Sequence, residues 1–409
     1  MADAIADLDA RDPLAPFRAE FQLREGLLYL DGNSLGALPR ATAPRIADVV
    51  SREWGDGLIG SWLKAEWVSA PQRIGDKIAR LLGGRPGEIV AADSTSINIF
   101  KALAAAVSLR PDRPVILSER TNFPTDVYMM QGMEAFSGGR LRSRTVDPAD
   151  VVGALDEEVA VLLLTQVHYK SGLIRDMTAV TRAAHEKGVL VVWDLSHSAG
   201  AIEVDLNSAN ADFAVGCGYK FLNGGPGAPA FIFVAERHQL AARPVLSGWF
   251  GHARPFAFEE DYEAVADIGR FLCGTPQVLG LSALECGIDL MLRADMRELR
   301  RKSVRLGELF IQCMDERCAE FGFSLVSPRD AARRGSQLSY AHPHAYEMIR
   351  ALGERQVVGD FRAPDVLRFG LTPLYLRYRD VVEAVEQLRG VCVSGAWDRP
   401  EFRERAAVT

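Results

Sequence analysis

The chain has 409 residues, 48% of them hydrophobic, enough for one large and one smaller domain around well-formed cores. Its 47 Lys and Arg stand against 54 Asp and Glu, and the net charge of −7 argues against a nucleic-acid backbone as partner and for small molecules or other subunits. The six cysteines are scattered with no CxxC pair, so neither a disulfide framework nor a bound metal is expected.

The opening "MADAIADLDARDPL" is acidic and lacks a basic segment followed by an apolar one. No apolar run approaches the ~20 residues of a membrane helix, and a cytoplasmic protein is expected. Further along, "ADSTSINIFKALAAAV" (92–107) predicts a helix with Ile99, Phe100, Leu103 and Val107 on one face. Its first turn carries Ser94, Thr95 and Ser96. Hydroxyls and free N–H groups at a helix start suit either an anion or a plain Ser cap.

Short apolar runs then alternate with helical patterns, the rhythm of parallel βαβ units. "RPVILS" (113–118), "VAVLLLT" (159–165) and "GVLVVWD" (188–194) read as buried strands. Between the last two, Asp176 is a candidate N-cap and Gly188 lies just past a helix end. "ADFAVGCGYK" (211–220) and "APAFIFV" (228–234) add two more strands, "LSALECGIDLMLR" and "MRELRRKSVRLGELFIQCMDERCAEFG" read as helices, and "VLRFGLTPLY" (366–375) as a strand entering a turn. The expected fold is α/β, with a large, mostly parallel-sheet domain over 56–280, a small α+β domain over 281–409, and an N-terminal segment, 1–55, joining the small domain and the substrate pocket.

Ligands in such sheets sit beyond the carboxyl ends of the strands. Asp194 ends one strand, with His197 three residues on, and Lys220 follows at the end of the next. Asp194 is either an N-cap or an ionic partner for a protonated ring nitrogen. Lys220 is either a solvated lysine or a desolvated amine able to form a Schiff base. The following "NGGPG" lacks the GxxxxGK[ST] pattern, so its glycines serve a turn and not a nucleotide. Taken together with the Thr95–Ser96 helix start, Asp194 and Lys220 suggest pyridoxal phosphate.

The motifs "LDGNSLG" (30–36), "NFPTD" (122–126), "WDLSHSAG" (193–200), "GYKFLNGGPG" (218–227), "GWFGH" (248–252) and "LRFGLTPLY" (367–375) run in order along nearly the whole chain. In them the sequence resembles the kynureninases, pyridoxal phosphate enzymes of fold type I related to the class V aminotransferases. The resemblance implies a PLP-dependent hydrolase of a carbon–carbon bond in a ketone, splitting L-kynurenine into anthranilate and L-alanine in tryptophan degradation. Whether 3-hydroxykynurenine is also taken, and whether the pathway is catabolic or feeds NAD biosynthesis, stays open.

Carried onto this chain, the family pattern makes Lys220 the Schiff-base lysine and Asp194 the partner of the ring nitrogen, with His197 beside it. It gives the phosphate to Thr95, Ser96 and Tyr219, and makes Tyr219 a candidate for proton transfer. Phe123, Pro124, Thr125 and Asp126 of "NFPTD" and Thr165 would contact the cofactor. Trp249 and Thr275 would reach it from the neighbouring subunit of a homodimer. Arg368 would hold the substrate α-carboxylate, with Ser34 and Trp62 lining the substrate pocket. His168, His342 and His344 are read as non-catalytic.

Overall fold

The structure is a computed structural model and describes residues 2–405. Its main sheet comprises β1 (Ile89–Ala91), β2 (Val115–Glu119), β3 (Arg142–Val146), β4 (Val159–Thr165), β5 (Leu190–Asp194), β6 (Phe213–Gly216) and β7 (Phe231–Val234). The spatial order is β1-β7-β6-β5-β4-β2-β3. All seven residues of β4 are buried. Such a continuous apolar run is what a strand needs when helices cover both of its faces. The pleat then sorts its side chains: Leu162 and Leu164 join Val191 and Trp193 in one core, while Val161 and Leu163 join Val192 in the other.

The helices on these faces start where their sequences provide caps. Ser94 accepts from Ile97 N to open the helix Thr95–Ser108, and Asp176 accepts from Ala179 N to open Met177–Glu186. Gly188, at φ +70°, turns the chain out of the second helix and into β5.

The expected parallel rhythm breaks at one place that bears on function. β7 runs antiparallel to both neighbours, β6 and β1. Antiparallel neighbours need no crossover helix, so residues 217–230 simply reverse the chain. Lys220 therefore lies in this connection, four residues past Gly216, and not at the strand end itself. The edge strand β3 and the short β1 were not foreseen. β3 is exposed or half-buried throughout, which leaves it without an apolar signature.

The second sheet is antiparallel, with β8 (Ser324–Leu325), β9 (Gln337–Ala341), β10 (Asp360–Arg362) and β11 (Val366–Gly370) in the order β10-β11-β9-β8. The helices Met296–Arg317 and Tyr378–Ser394 pack against each other beside it. The N-terminal chain joins this part, since Leu28–Tyr29 pairs in parallel with Val357–Val358. That pairing brings Ser34 up to β10 and β11. Among the described residues, no helix is long and apolar enough to cross a membrane.

Candidate active site

β4 and β5 end side by side, because Thr165 is the register partner of Asp194. Both side chains are buried, and Asp194 Oδ1 accepts from Ser196 N at 2.8 Å. Thr165 Oγ1 donates to Asn122 Oδ1 at 2.6 Å and lies 3.5 Å from Asp126 Oδ2. Asn122 is fixed in turn by donating to Ser118 Oγ at 3.1 Å. Asp126, in the first turn of the helix Pro124–Phe136, is thus held facing the same space as Asp194.

That space is a cavity of about 290 Å³, lined by Thr95, Ser96, Phe123, Thr125, Asp126, Thr165, Asp194, His197, Tyr219 and Lys220, together with Ile99, Tyr169 and Ser196. Ten residues singled out in the sequence therefore meet in one place. Lys220 Nζ lies 3.0 Å from His197 Nε2, and His197 Nδ1 lies 3.0 Å from Gln337 Oε1.

Burial dominates the electrostatics. It pushes Asp126 well above the usual carboxylate range, with the negative charge of Asp194 adding to the shift, and it raises Asp194 as well. It pushes the Lys220 amine down and holds His197 well below the usual imidazole value, so that His197 is neutral. The Tyr219 hydroxyl is raised, also by burial.

The lining fits pyridoxal phosphate. Thr95 Oγ1 is buried at the helix start and has no hydrogen-bond partner among the described residues, a donor waiting for an anion. Among the described residues, Asp126 and Asp194 hydrogen-bond to neutral groups, so a cationic ring nitrogen finds a carboxylate that no cation already hydrogen-bonds. Lys220 supplies an amine in the same cavity.

Arg368 lies beyond the cavity on β11, buried and directed at Asp360. Its Nε donates to Asp360 Oδ1 at 2.8 Å, and its Nη2 donates to Asp360 Oδ2 and, at 2.8 Å, to Ser34 Oγ. Nη1 donates to the Tyr169 carbonyl at 2.6 Å. Arg362 Nη2 adds a second cation, 2.8 Å from Asp360 Oδ2.

Four of the sequence-derived residues lie elsewhere. Pro124 faces a neighbouring cavity, beside His168. Trp62 and Thr275 line a separate apolar cavity of about 460 Å³ with Val49, Trp54 and Trp67. Trp249 packs edge-on against Phe250, which also meets Trp62. Sequence reasoning missed Tyr169, Gln337 and Asp360. Asp360 carried a usable signal, since an acid eight residues before Arg368 becomes its register partner if 360–370 folds as a hairpin. Tyr169 acts through its backbone carbonyl and carried none.

The model of the kynureninase C-terminal domain matches residues 299–388. A kynureninase from Burkholderia pseudomallei is 51% identical over 407 residues, covering 98% of both chains. The chain belongs to the kynureninase family. A relative from Pseudomonas fluorescens, also a kynureninase, is 47% identical, again over 98% of each chain. Among solved structures, the cysteine desulfurase of Thermococcus onnurineus has a TM-score of 0.79 at 18% identity, covering 94% of this chain and 99% of its own. The cystine C–S lyase C-DES reaches 0.76 at 14%, covering 89% and 98%. At these identities the likeness speaks for the fold alone, a fold the kynureninase family shares with sulfur-handling enzymes.

Proposed function

We propose that this chain hydrolyses L-kynurenine to anthranilate and L-alanine with pyridoxal phosphate. The observation that carries the reading is 51% identity to a kynureninase over 98% of both chains. The cavity geometry agrees with it.

Bound in this cavity, pyridoxal phosphate supplies an electron sink for negative charge at the substrate α-carbon. Thr95, Ser96 and Tyr219 would hold its phosphate, Asp194 its ring nitrogen and Lys220 its aldehyde carbon. Phe123 and Thr165 would contact its ring. The chain's own residues do the remaining work. Burial lowers the Lys220 amine, which favours the unprotonated form that takes the proton from the substrate α-carbon. Neutral His197, 3.0 Å away, accepts a hydrogen bond from that nitrogen and keeps its lone pair oriented. Arg368, fixed side-on by Asp360, presents its Nη edge beside Ser34 to the substrate carboxylate. Tyr219 moves a proton at the substrate carbonyl during carbon–carbon cleavage.

A homodimer with shared sites is part of the same reading. Trp249 and Thr275 lie outside the Lys220 cavity of their own chain, as residues serving a neighbour's site would. Trp54 and Leu279, 57% and 42% exposed, line the Trp62 cavity and offer apolar surface for a second copy. The pairing of Leu28–Tyr29 with Val357–Val358 supports grouping residues 1–55 with 281–409.

The sulfur chemistry of the structural neighbours is the second reading. Cys217, the cysteine nearest Lys220, argues against it. Its thiol is buried, pushed up by that burial, and turned toward the Ser196 carbonyl at 3.7 Å. The deciding assay supplies L-kynurenine and L-cysteine separately to the holoenzyme. Equal amounts of anthranilate and alanine from kynurenine support the proposal; sulfur release from cysteine with no anthranilate would overturn it.

A further inference from the structure

Gln337 sits on β9 of the small sheet, yet its side chain joins two residues that line the Lys220 cavity. Its Nε2 donates to the Tyr169 carbonyl at 2.8 Å, and its Oε1 lies 3.0 Å from His197 Nδ1. A backbone carbonyl can only accept, so the amide NH₂ must face Tyr169 and the amide oxygen must face the imidazole. That oxygen can only accept, so His197 Nδ1 must carry the proton. A neutral imidazole has one such proton, which leaves Nε2 a bare acceptor, and Lys220 Nζ is 3.0 Å from it.

We propose that Gln337 is a positioning residue for the reaction: it fixes the tautomer of His197 so that Nε2 can only accept, and receives a hydrogen bond from the Lys220 nitrogen whenever that nitrogen carries a proton. The proposal rests on the reading of Lys220 as the cofactor-bearing lysine. His197 stays neutral because it is buried and faces the cations of Lys220, Arg368 and Arg362, so no proton is available to make Nε2 a donor. The Tyr169 carbonyl that orients Gln337 also accepts from Arg368 Nη1 at 2.6 Å. One carbonyl therefore orders both the carboxylate-binding end of the site and the lysine end. Gln337 and Arg368 come from adjacent strands, β9 and β11, so the small sheet supplies the rigid base for both.

The test is a pH titration of the visible absorbance band of the holoenzyme without substrate, for the unsubstituted protein, Gln337→Met and Ser339→Ala. Gln337→Met keeps the side-chain bulk and removes the amide. Ser339→Ala removes another β9 side-chain bond, the one to the Lys170 carbonyl, which plays no part in the tautomer. An accepting Nε2 stabilises the protonated nitrogen at Lys220. Gln337→Met is therefore expected to lower the midpoint by about one pH unit, the scale of one charge-assisted hydrogen bond. Its kcat should fall more than its KM for kynurenine changes, and Ser339→Ala should leave the midpoint in place. An unmoved midpoint in Gln337→Met, or equal shifts in both variants, would overturn the proposal.

Should Gln337→Met fail to fold, ¹⁵N-histidine NMR of the unsubstituted holoenzyme, with His197→Asn for assignment, decides the same point. The proton is expected on Nδ1, and finding it on Nε2 would overturn the assignment. A protein with no visible band at all would overturn the reading of Lys220, while the same NMR measurement on that cofactor-free protein still judges Gln337.

Discussion

Asp360 and Arg368 are register partners on adjacent antiparallel strands, joined side-on through Nε and Nη2 of the guanidinium. The Nη edge meets Ser34 Oγ at 2.8 Å and the Tyr169 carbonyl at 2.6 Å, which leaves one Nη1 N–H for a ligand. An ammonium cannot span both Asp360 and a substrate carboxylate. Arg368→Lys is therefore expected to raise KM for kynurenine and to lower kcat/KM on the order of 10²-fold, equivalent to one or two charge-assisted bonds of about 1.5–3 kcal/mol each. Steady-state kinetics checks this, and a change confined to kcat would show that Arg368 does not bind the substrate.

Thr95 offers a prediction in which stability and cofactor binding respond differently. Its Oγ1 is buried without a partner among the described residues, so Thr95→Val removes an unsatisfied group at little cost to the cofactor-free protein. The same change takes away a donor for the phosphate. Cofactor affinity should fall by roughly 10-fold or more, read by equilibrium titration, while the melting temperature of the cofactor-free protein holds or rises.

Asp126 and Asp194 make the cofactor-free protein sensitive to pH in a definite direction. Both are raised above the ordinary carboxylate value, chiefly by burial, so the folded chain holds their protons more tightly than the unfolded chain does. The stability they contribute is complete below the unfolded value near ~4 and is lost as pH rises through the folded values. Asp126→Asn cannot ionise and escapes its share of that loss. Its melting temperature, relative to the unsubstituted protein, is expected to rise as pH is taken from about 5 to about 8. A difference that stays constant would mean that the folded chain holds the Asp126 proton no more tightly than the unfolded chain does.

These groups were legible in the sequence to different degrees, for physical reasons. Asp194 ends an uninterrupted apolar run, and Thr95 and Ser96 stand directly before a helical pattern, so local signals marked all three. Lys220 was found, but its place in a chain reversal was not, because an antiparallel β7 has the same apolar composition as a parallel one. The cap at Asp176 and the turn at Gly188 followed from residue chemistry at single positions. Gln337 and Tyr169 depend on which strands become neighbours, and Tyr169 acts through a backbone carbonyl that every residue carries. Trp62, Trp249 and Thr275 came from the family pattern; Trp62 and Thr275 line a different cavity from Lys220 in their own chain, and Trp249 packs on Phe250, which meets Trp62.

Lys220 is the residue on which the whole account rests, and borohydride reduction of the holoenzyme tests it most directly. Reduction should bleach the visible band, abolish anthranilate release from kynurenine, and leave the cofactor mass on the peptide that contains Lys220, with no adduct formed by Lys220→Ala. Retention of the cofactor mass on another lysine, or full activity in Lys220→Ala, would contradict the account.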